Sequence, residues 1–384
     1  MKLFKKVLSV ALVAAMTFGL MTGCGEKSSD TFKVGVIGPM TGGAAVYGIA
    51  VKNGADLAIK EINAAGGING YQIEYNPQDD ELDNEKSVNA YNALKDWGMN
   101  ILVGSVTSGC CTAVAAESKN DNMFQLTPSG SSTDCTDGND NVFQVCFSDP
   151  NQGVGAAAYI GENKVASKVA VIYDSSDVYS SGIYKKFAQE AANQDFEIVE
   201  TGAFTADNKT DFSVQLQKAH DAGAELIFLP IYYSEAALIL TQANNAGYSF
   251  KFFGCDGLDG ILGVENFDAS LAEGVMLLTP FAADAKDAKT QAFVSAYEAA
   301  YGDTPNQFAA DAYDAMYIIK AAVEKSGAKP SMSVSDLGDA LKAAMLEISV
   351  DGLTGAAMSW DSEGAVNKAP KAMEIKNGNY SLIQ

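Results

Sequence analysis

The stretch GSVTSGCCTAV, Gly104–Val114, ends a short apolar run and opens what reads as a helix. Glycines around small polar residues at such a junction form a cradle of main-chain N–H groups, an arrangement that receives anions. The spacing G-x-x-x-x-G is that of a phosphate loop, but Cys110 and Cys111 stand where phosphate chemistry needs Lys and Ser or Thr. A second hydroxyl-rich stretch, TPSGSS, follows at Thr127–Ser132. Ser105, Thr107, Ser108, Ser129, Ser131 and Ser132, with helix-start N–H groups, can hold a carboxylate without any cationic side chain. Later segments carry the opposite chemistry. Tyr179, Tyr232 and Tyr233 supply aromatic faces, and CDGLDG supplies the carboxylates Asp256 and Asp259, which suit an ammonium. The two sets together suit a zwitterion, an α-amino acid.

Serine-rich turns also arise simply because Ser and Thr cap helices. Recognition is preferred here because both halves of the chain offer complementary groups at equivalent places. Catalysis fits poorly. The single histidine, His220 in KAHDAG, reads as a solvated helix-end residue, which leaves no Ser-His-Asp triad without it and no multi-histidine metal site. The acidic run DDELD, Asp79–Asp83, reads as a solvated loop. DCTDGNDN, Asp134–Asn141, lacks the spacing and final Glu of a calcium loop. No enzyme, no catalytic residue, no metal and no cofactor is expected.

The elements that must position these groups come in two similar series. FKVGVIG reads as a strand, Tyr47–Ala65 as a helix closed by Gly66 and Gly67, QIEYN as a strand, and SVNAYNALKDW as a helix stopped by Gly98. NILVG and MFQLTP are further strands. SKVAVIY then restarts the order, with a helix at Ser180–Asn193, strand FEIVETGAF, a helix at Asp211–Ala222, and strands ELIFLP and FKFFG. Strand–helix alternation of this kind predicts α/β architecture, two doubly wound parallel-sheet lobes. Connections near Ser148–Gln152, Leu277–Pro280 and Val350–Gly355 would cross between lobes as a three-strand hinge. Helices at Ala288–Tyr301, Phe308–Ser326 and Val334–Ile348 would return to the first lobe. The division expected is lobe 1 at 32–149 plus 279–352 and lobe 2 at 150–278 plus 353–384. Ligands of such sheets sit beyond the carboxyl ends of the strands, where the named residues fall.

The chain has 26 basic and 48 acidic residues, a formal net charge of −22, and every basic residue is Lys. That field repels phosphates and anionic lipid, so no nucleic-acid partner is expected. MKLFKK and the apolar run Val7–Leu20 have the make-up of a secretory signal peptide over 1–23. LMTGC before Cys24 resembles the lipobox of bacterial lipoproteins, with Met21 where Leu is more usual. That resemblance implies acylation of Cys24, a tether over 24–31 and an extracytoplasmic body anchored to the cell membrane. Cys110, Cys111, Cys135, Cys146 and Cys255 are an odd set that cannot all pair internally. A bridge from Cys110 or Cys111 to Cys135 stays open beside free thiols.

KVGVIGPMTGGAAVYG, AIKEINAAGGING, QLTPSGSS, FFGCDG and LTGAAMSWDSEG together resemble the type I periplasmic binding proteins of the branched-chain amino acid transport family, across about Phe32–Ile383. The resemblance implies a monomeric substrate-binding protein that delivers an amino acid to an ABC permease in the membrane. It implies that the hydroxyls of Ser108 and Ser131 donate to the ligand carboxylate. The Ser129 carbonyl and the Asp256 carboxylate would accept from its ammonium, with Tyr47, Tyr179 and Tyr232 lining the side-chain and closure faces. Two departures from the family pattern stand out. Leu82 and Thr107 occupy the places of a disulfide found in several relatives, and Asp256 stands where Glu is common. Relatives in the wider family bind amides, urea or aromatic acids, which are the alternative solutes; an extracellular hydrolase is the more distant alternative.

Overall fold

A computed structural model describes residues 30–383; the leader, Cys24 and most of the tether lie outside the described residues. The first series runs β1 (Phe32–Gly38), α1 (Ala45–Ala64), β2 (Ile73–Asp79), α2 (Asn84–Trp97), β3 (Ile101–Val103), α3 (Ser108–Asp121), β4 (Gln125–Thr127) and β5 (Val142–Gln144). Its strands form one parallel sheet in the order β2-β1-β3-β4-β5. The second series runs α4 (Asp149–Glu162), β6 (Lys168–Asp174), α5 (Val178–Ala191), β7 (Glu197–Phe204), α6 (Ser213–Asp221), β8 (Leu226–Leu229), α7 (Tyr233–Asn245), β9 (Lys251–Gly254) and β10 (Met276–Thr279). After α8 (Ala288–Tyr301), α9 (Gln307–Ser326) and α10 (Val334–Met345), the chain adds β11 (Lys371–Lys376) and β12 (Asn379–Leu382). The second sheet is ordered β12-β11-β10-β9-β8-β6-β7, parallel except at its edge, where β11 pairs antiparallel with both β10 and β12. These are two parallel-dominated α/β sheets, the architecture that strand–helix alternation predicts.

Local chemistry sets the element ends. Asp83 accepts from Lys86 N to start α2, and Gly98, at φ 89°, takes the left-handed turn that ends it. Asn306 caps α9 by accepting from Ala309 N. Strands β3, β4, β5 and β8 are buried along their whole length, as expected of sheets covered on both faces. Helix α9 lies against α1 so closely at Gly54 that a Cβ there would stand 2.1 Å from the Ala309 carbonyl oxygen. Tyr313 and Tyr317 donate to Glu61, and Tyr75 and Tyr301 to Asp56, binding α8 and α9 to α1.

The chain passes between the sheets after β5, after β10 and before β11. One ammonium gathers these regions. Lys368 Nζ, almost wholly buried, pairs with Asp311 of α9 at 2.5 Å and donates to Val145 O at 2.9 Å and Thr354 Oγ1 at 2.6 Å. Asp314, one turn along α9, accepts from Leu353 N, Thr354 N and Thr354 Oγ1. Removing one partner of such a buried pair costs about 3–5 kcal/mol, because the other charge is left uncompensated.

Three expectations differ from the structure. Residues 353–368, assigned above to the second lobe, bond to the first sheet: Gln144 N donates to Gly364 O at 2.9 Å and Trp360 Nε1 to Gln144 O at 2.7 Å. The return to the second sheet therefore comes at β11. Ser148–Gln152, read as a connection, is the cap and first turn of α4. The run Asp79–Asp83 is not simply solvated. Asp80 is fully buried beside Ser87, Asp79 accepts from Met40 N and Thr41 Oγ1, and Asp83 caps a helix.

Candidate functional site

The loops after β1, β3 and β4 face those after β6, β8 and β9 across one cleft. On the first side, α3 opens at Ser108, and a helix's first turn leaves N–H groups without intrahelical acceptors. Ser108 Oγ accepts from Ser131 N at 3.2 Å and Ser132 N at 3.1 Å, which leaves its own hydrogen for another acceptor. Thr127 Oγ1 donates to Ser105 O and accepts from Gly130 N, both at 2.7 Å. Ser129 Oγ donates to Val106 O, and Gln144 Nε2 to Gly130 O and Ser132 O. The donor lip is thus braced from within its own lobe.

The opposite wall is a carboxylate among phenols. Asp256 begins a 3-10 turn at Asp256–Leu258, and its Oδ1 accepts from Tyr179 Oη at 2.7 Å. Asp256 N donates to Gln152 Oε1 at 3.1 Å, and Gly257 N to Tyr179 Oη at 2.9 Å. Glycine at 257 permits that approach, since a Cβ would come within 2.6 Å of the phenol oxygen. Burial pushes the Asp256 carboxyl up to about 7, against the hydrogen bond from Tyr179. Asp259 is raised likewise, to about 7, while its Oδ2 accepts from Gln307 N.

Aromatic rings complete the walls. Tyr179 stacks on Tyr232 with centroids 5.0 Å apart, Tyr232 meets Tyr47 edge-on at 5.7 Å, and Tyr47 lies 4.3 Å from Phe308. Tyr47 belongs to α1 yet donates to Gly257 O and accepts from Tyr233 N at 3.3 Å. Val46 N donates to Tyr233 Oη, and Ser234 Oγ to Gly43 O, so the start of α1 is bonded across the cleft. The closed walls leave about 10 Å³, room for about one water, so a larger guest enters only when the walls part. Outside lies a wider mouth of about 480 Å³, bordered by Asp83, Glu85, Asp174, Asp177 and Glu235 with Lys209.

Tyr47, Ser108, Ser129, Tyr179, Tyr232 and Asp256 all line the closed cavity. Ser131 does not; it stands behind Ser108, to whose oxygen its N–H donates. Sequence reasoning did not name Val106, Gly257 or Phe308, which also line it. Phe308 follows the Asn306 cap of α9, and nothing in its own spacing marks it as a lining residue. The five described cysteines are free and buried; Cys135 is beside Cys111, and Cys110 is beside Asp80. His220 is exposed in the last turn of α6, stacked on Tyr248 at 4.5 Å.

The chain is similar to known proteins over most of its length. A family model described as periplasmic binding protein matches residues 31–379. The Leu/Ile/Val-binding protein homolog 3 of Brucella melitensis is 30% identical over 328 residues, 83% of this chain and 86% of its own. The leucine-, isoleucine-, valine-, threonine- and alanine-binding protein of Pseudomonas aeruginosa is 29% identical over 303 residues, 79% of this chain and 80% of its own. A crystal structure of the branched-chain amino acid transporter substrate-binding protein LivJ from Streptococcus pneumoniae, in complex with isoleucine, is similar with a TM-score of 0.83. It has 30% identity and covers 92% of this chain and 99% of that one.

Proposed function

This chain belongs to the periplasmic binding protein family, the extracytoplasmic solute-binding proteins of ABC transporters, and from that premise we propose that its solute is a branched-chain α-amino acid. The observation that carries the reading is the pairing across one cavity of Ser108, with its free hydroxyl hydrogen, and Asp256, with aromatic rings between. Ser108 and neighbouring main-chain N–H groups take the carboxylate. Asp256 and the Ser129 carbonyl take the ammonium. Tyr47, Tyr232 and Phe308 cover the apolar side chain, and closure removes water from around the polar contacts, which strengthens them.

The alternatives of the wider family fit less well. An aromatic acid brings a negative charge and no ammonium to a chain of net charge −22, past an acidic mouth, toward a wall that holds a carboxylate. Urea and simple amides would leave Asp256 without a cation. The protein acts by capture and release, without turnover, as a monomer that hands its solute to a membrane permease. Cys24 carries the lipid that keeps it near.

Thermal-shift screening of the mature chain against the twenty amino acids, urea, short amides and benzoate tests the reading, with calorimetry on the hits. Leucine, isoleucine and valine are expected to give the largest shifts. A shift with benzoate or an amide and none with any amino acid would overturn it.

A further inference from the structure

Two thiols stand together behind the donor lip. On α3, Ser108, Cys111 and Thr112 share one face, because residues three and four apart along a helix are neighbours. Cys135, which ends the short 3-10 turn Thr133–Cys135, lies against that face. Its Sγ donates to Ser108 O at 3.6 Å and stands 3.7 Å from Thr112 Oγ1, the two residues that bracket Cys111 along the helix. The thiols of Cys111 and Cys135 are neighbours within hydrogen-bonding reach of each other. Cys111 Sγ also accepts from Gln125 Nε2 at 3.5 Å, and glycine at 130 leaves it room, since a Cβ there would come within 3.0 Å of the sulfur. Both cysteines are fully buried.

The other described cysteines point elsewhere. Cys110, next along α3, meets Asp80, Thr107 and Ser87. One residue advances a helix by about 100°, so Cys110 and Cys111 cannot both face Cys135. Cys146 answers to Asp311, Asp256 and Lys368 more strongly than to Cys135, and Cys255 lies beside Asp256 and Asp149. The bridge partner left open in the sequence, Cys110 or Cys111, is decided by the face of α3.

The family is extracytoplasmic, and outside the cytoplasm thiols meet oxidants. We propose that Cys111 and Cys135 join there as a disulfide, a covalent tie across the donor lip, while Cys110, Cys146 and Cys255 remain thiols. The tie connects the first turn of α3, which presents Ser108, to the turn that follows Ser129–Ser132, so the two pieces of the lip are fixed to each other. The oxidant is a small-molecule disulfide. One cysteine thiolate attacks it, forming a mixed disulfide and releasing half of the oxidant as a thiol. The second cysteine thiolate then displaces the other half. Two small thiols leave with two protons and two electrons, and the protein gains one S–S bond. Contact with Cys111 and burial hold Cys135 as the thiol in the folded chain, whereas the thiolate is the form that reacts. Exchange is therefore fast while the chain folds and slow afterwards. The proposal is independent of which solute the cleft takes.

The test is peptide mapping by mass spectrometry on the mature chain with Cys24→Ser, refolded in glutathione disulfide, alkylated while denatured and then digested. A pair of peptides joined through Cys135 should appear and should separate on reduction, with Cys146 and Cys255 alkylated. Because Cys110 and Cys111 share a peptide, two variants assign the partner: C110S should keep the link and C111S should lose it. Reduction should lower the melting temperature by about 5 °C, the effect of opening a loop of about 25 residues, and should leave that of C135S unmoved. Amide exchange over 108–112 and 129–135 should be slower in the oxidised chain than in the reduced one. The disulfide is overturned if all five described cysteines are alkylated after refolding in the oxidant, or if Cys135 is found joined to Cys110 or Cys146. A mapped link whose reduction changes neither melting nor amide exchange would overturn the tie as a brace of the lip. Should C111S fold poorly, the maps of the parent chain and of C110S still decide.

Discussion

The two lips of the cleft are built on different principles. The donor lip is braced by bonds confined to 104–144: Thr127, Gln144, Ser129 and Ser108 each fix a main-chain group of their own lobe. The acid lip depends on groups drawn from elsewhere. Asp256 is held by Tyr179 of α5 and Gln152 of α4, and its carbonyl accepts from Gln307 Nε2 of α9, an element packed on the other lobe. Neutral donors tolerate burial once their lone pairs are satisfied, so the first lip stands ready in any state. A buried carboxylate is costly until a cation meets it, so the second lip is completed by the ligand. One lip should set baseline affinity and the other its dependence on charge.

Removing the acid gives the largest expected effect. Asp256→Ala should weaken leucine binding by about ten- to a hundredfold, the worth of a charge-assisted hydrogen bond. Calorimetry checks it, and an unchanged affinity removes Asp256 from the site. Acidity probes the same group more gently. The free carboxyl titrates near 7, and the ammonium requires its ionised form, so protonation competes with the ligand. Affinity should fall as pH drops below that value, approaching about tenfold per unit, and Asp256→Asn should flatten the profile. A steeper profile in the Asn variant would break the assignment.

Ser108→Ala sharpens the comparison from the other side. It removes one donor and leaves Ser131 N and Ser132 N without their acceptor, yet main-chain donors remain. About three- to tenfold weaker binding is expected, with no change in the pH profile. A loss exceeding that of Asp256→Ala would reverse the order of the lips. Tyr47→Phe should be mildest, about fivefold or less, and should appear as faster release in stopped-flow, because the phenol bonds across the closed cleft to Gly257.

Much of this was readable from residue order. Long periodic segments were, and the helix at Ala288–Tyr301 agrees to the residue. Segments whose signal is weak were not. β5 has only three residues, and α4, DPNQGVGAAAYIGE, mixes Gly, Pro and Asn into its helix so that no apolar stripe is evident. α7 went unnamed between two strands, and the β11–β12 hairpin has half-buried faces at a sheet edge. Among site residues, those just beyond the strands were legible because parallel sheets put ligands there. Gln152 was not, because it lies in the first turn of α4 and meets Asp256 N only through the fold. Phe308 reaches the cavity only through the packing of α9 on α1.

The position of Lys368 bears on how the halves can move. Its single buried ammonium takes oxygens from the first crossing, the third crossing and α9 at once. A joint pinned at one interior point lets its two plates swing but resists their sliding. With the segments that flank two crossings held at that point, swinging is the motion such a joint favours over sliding.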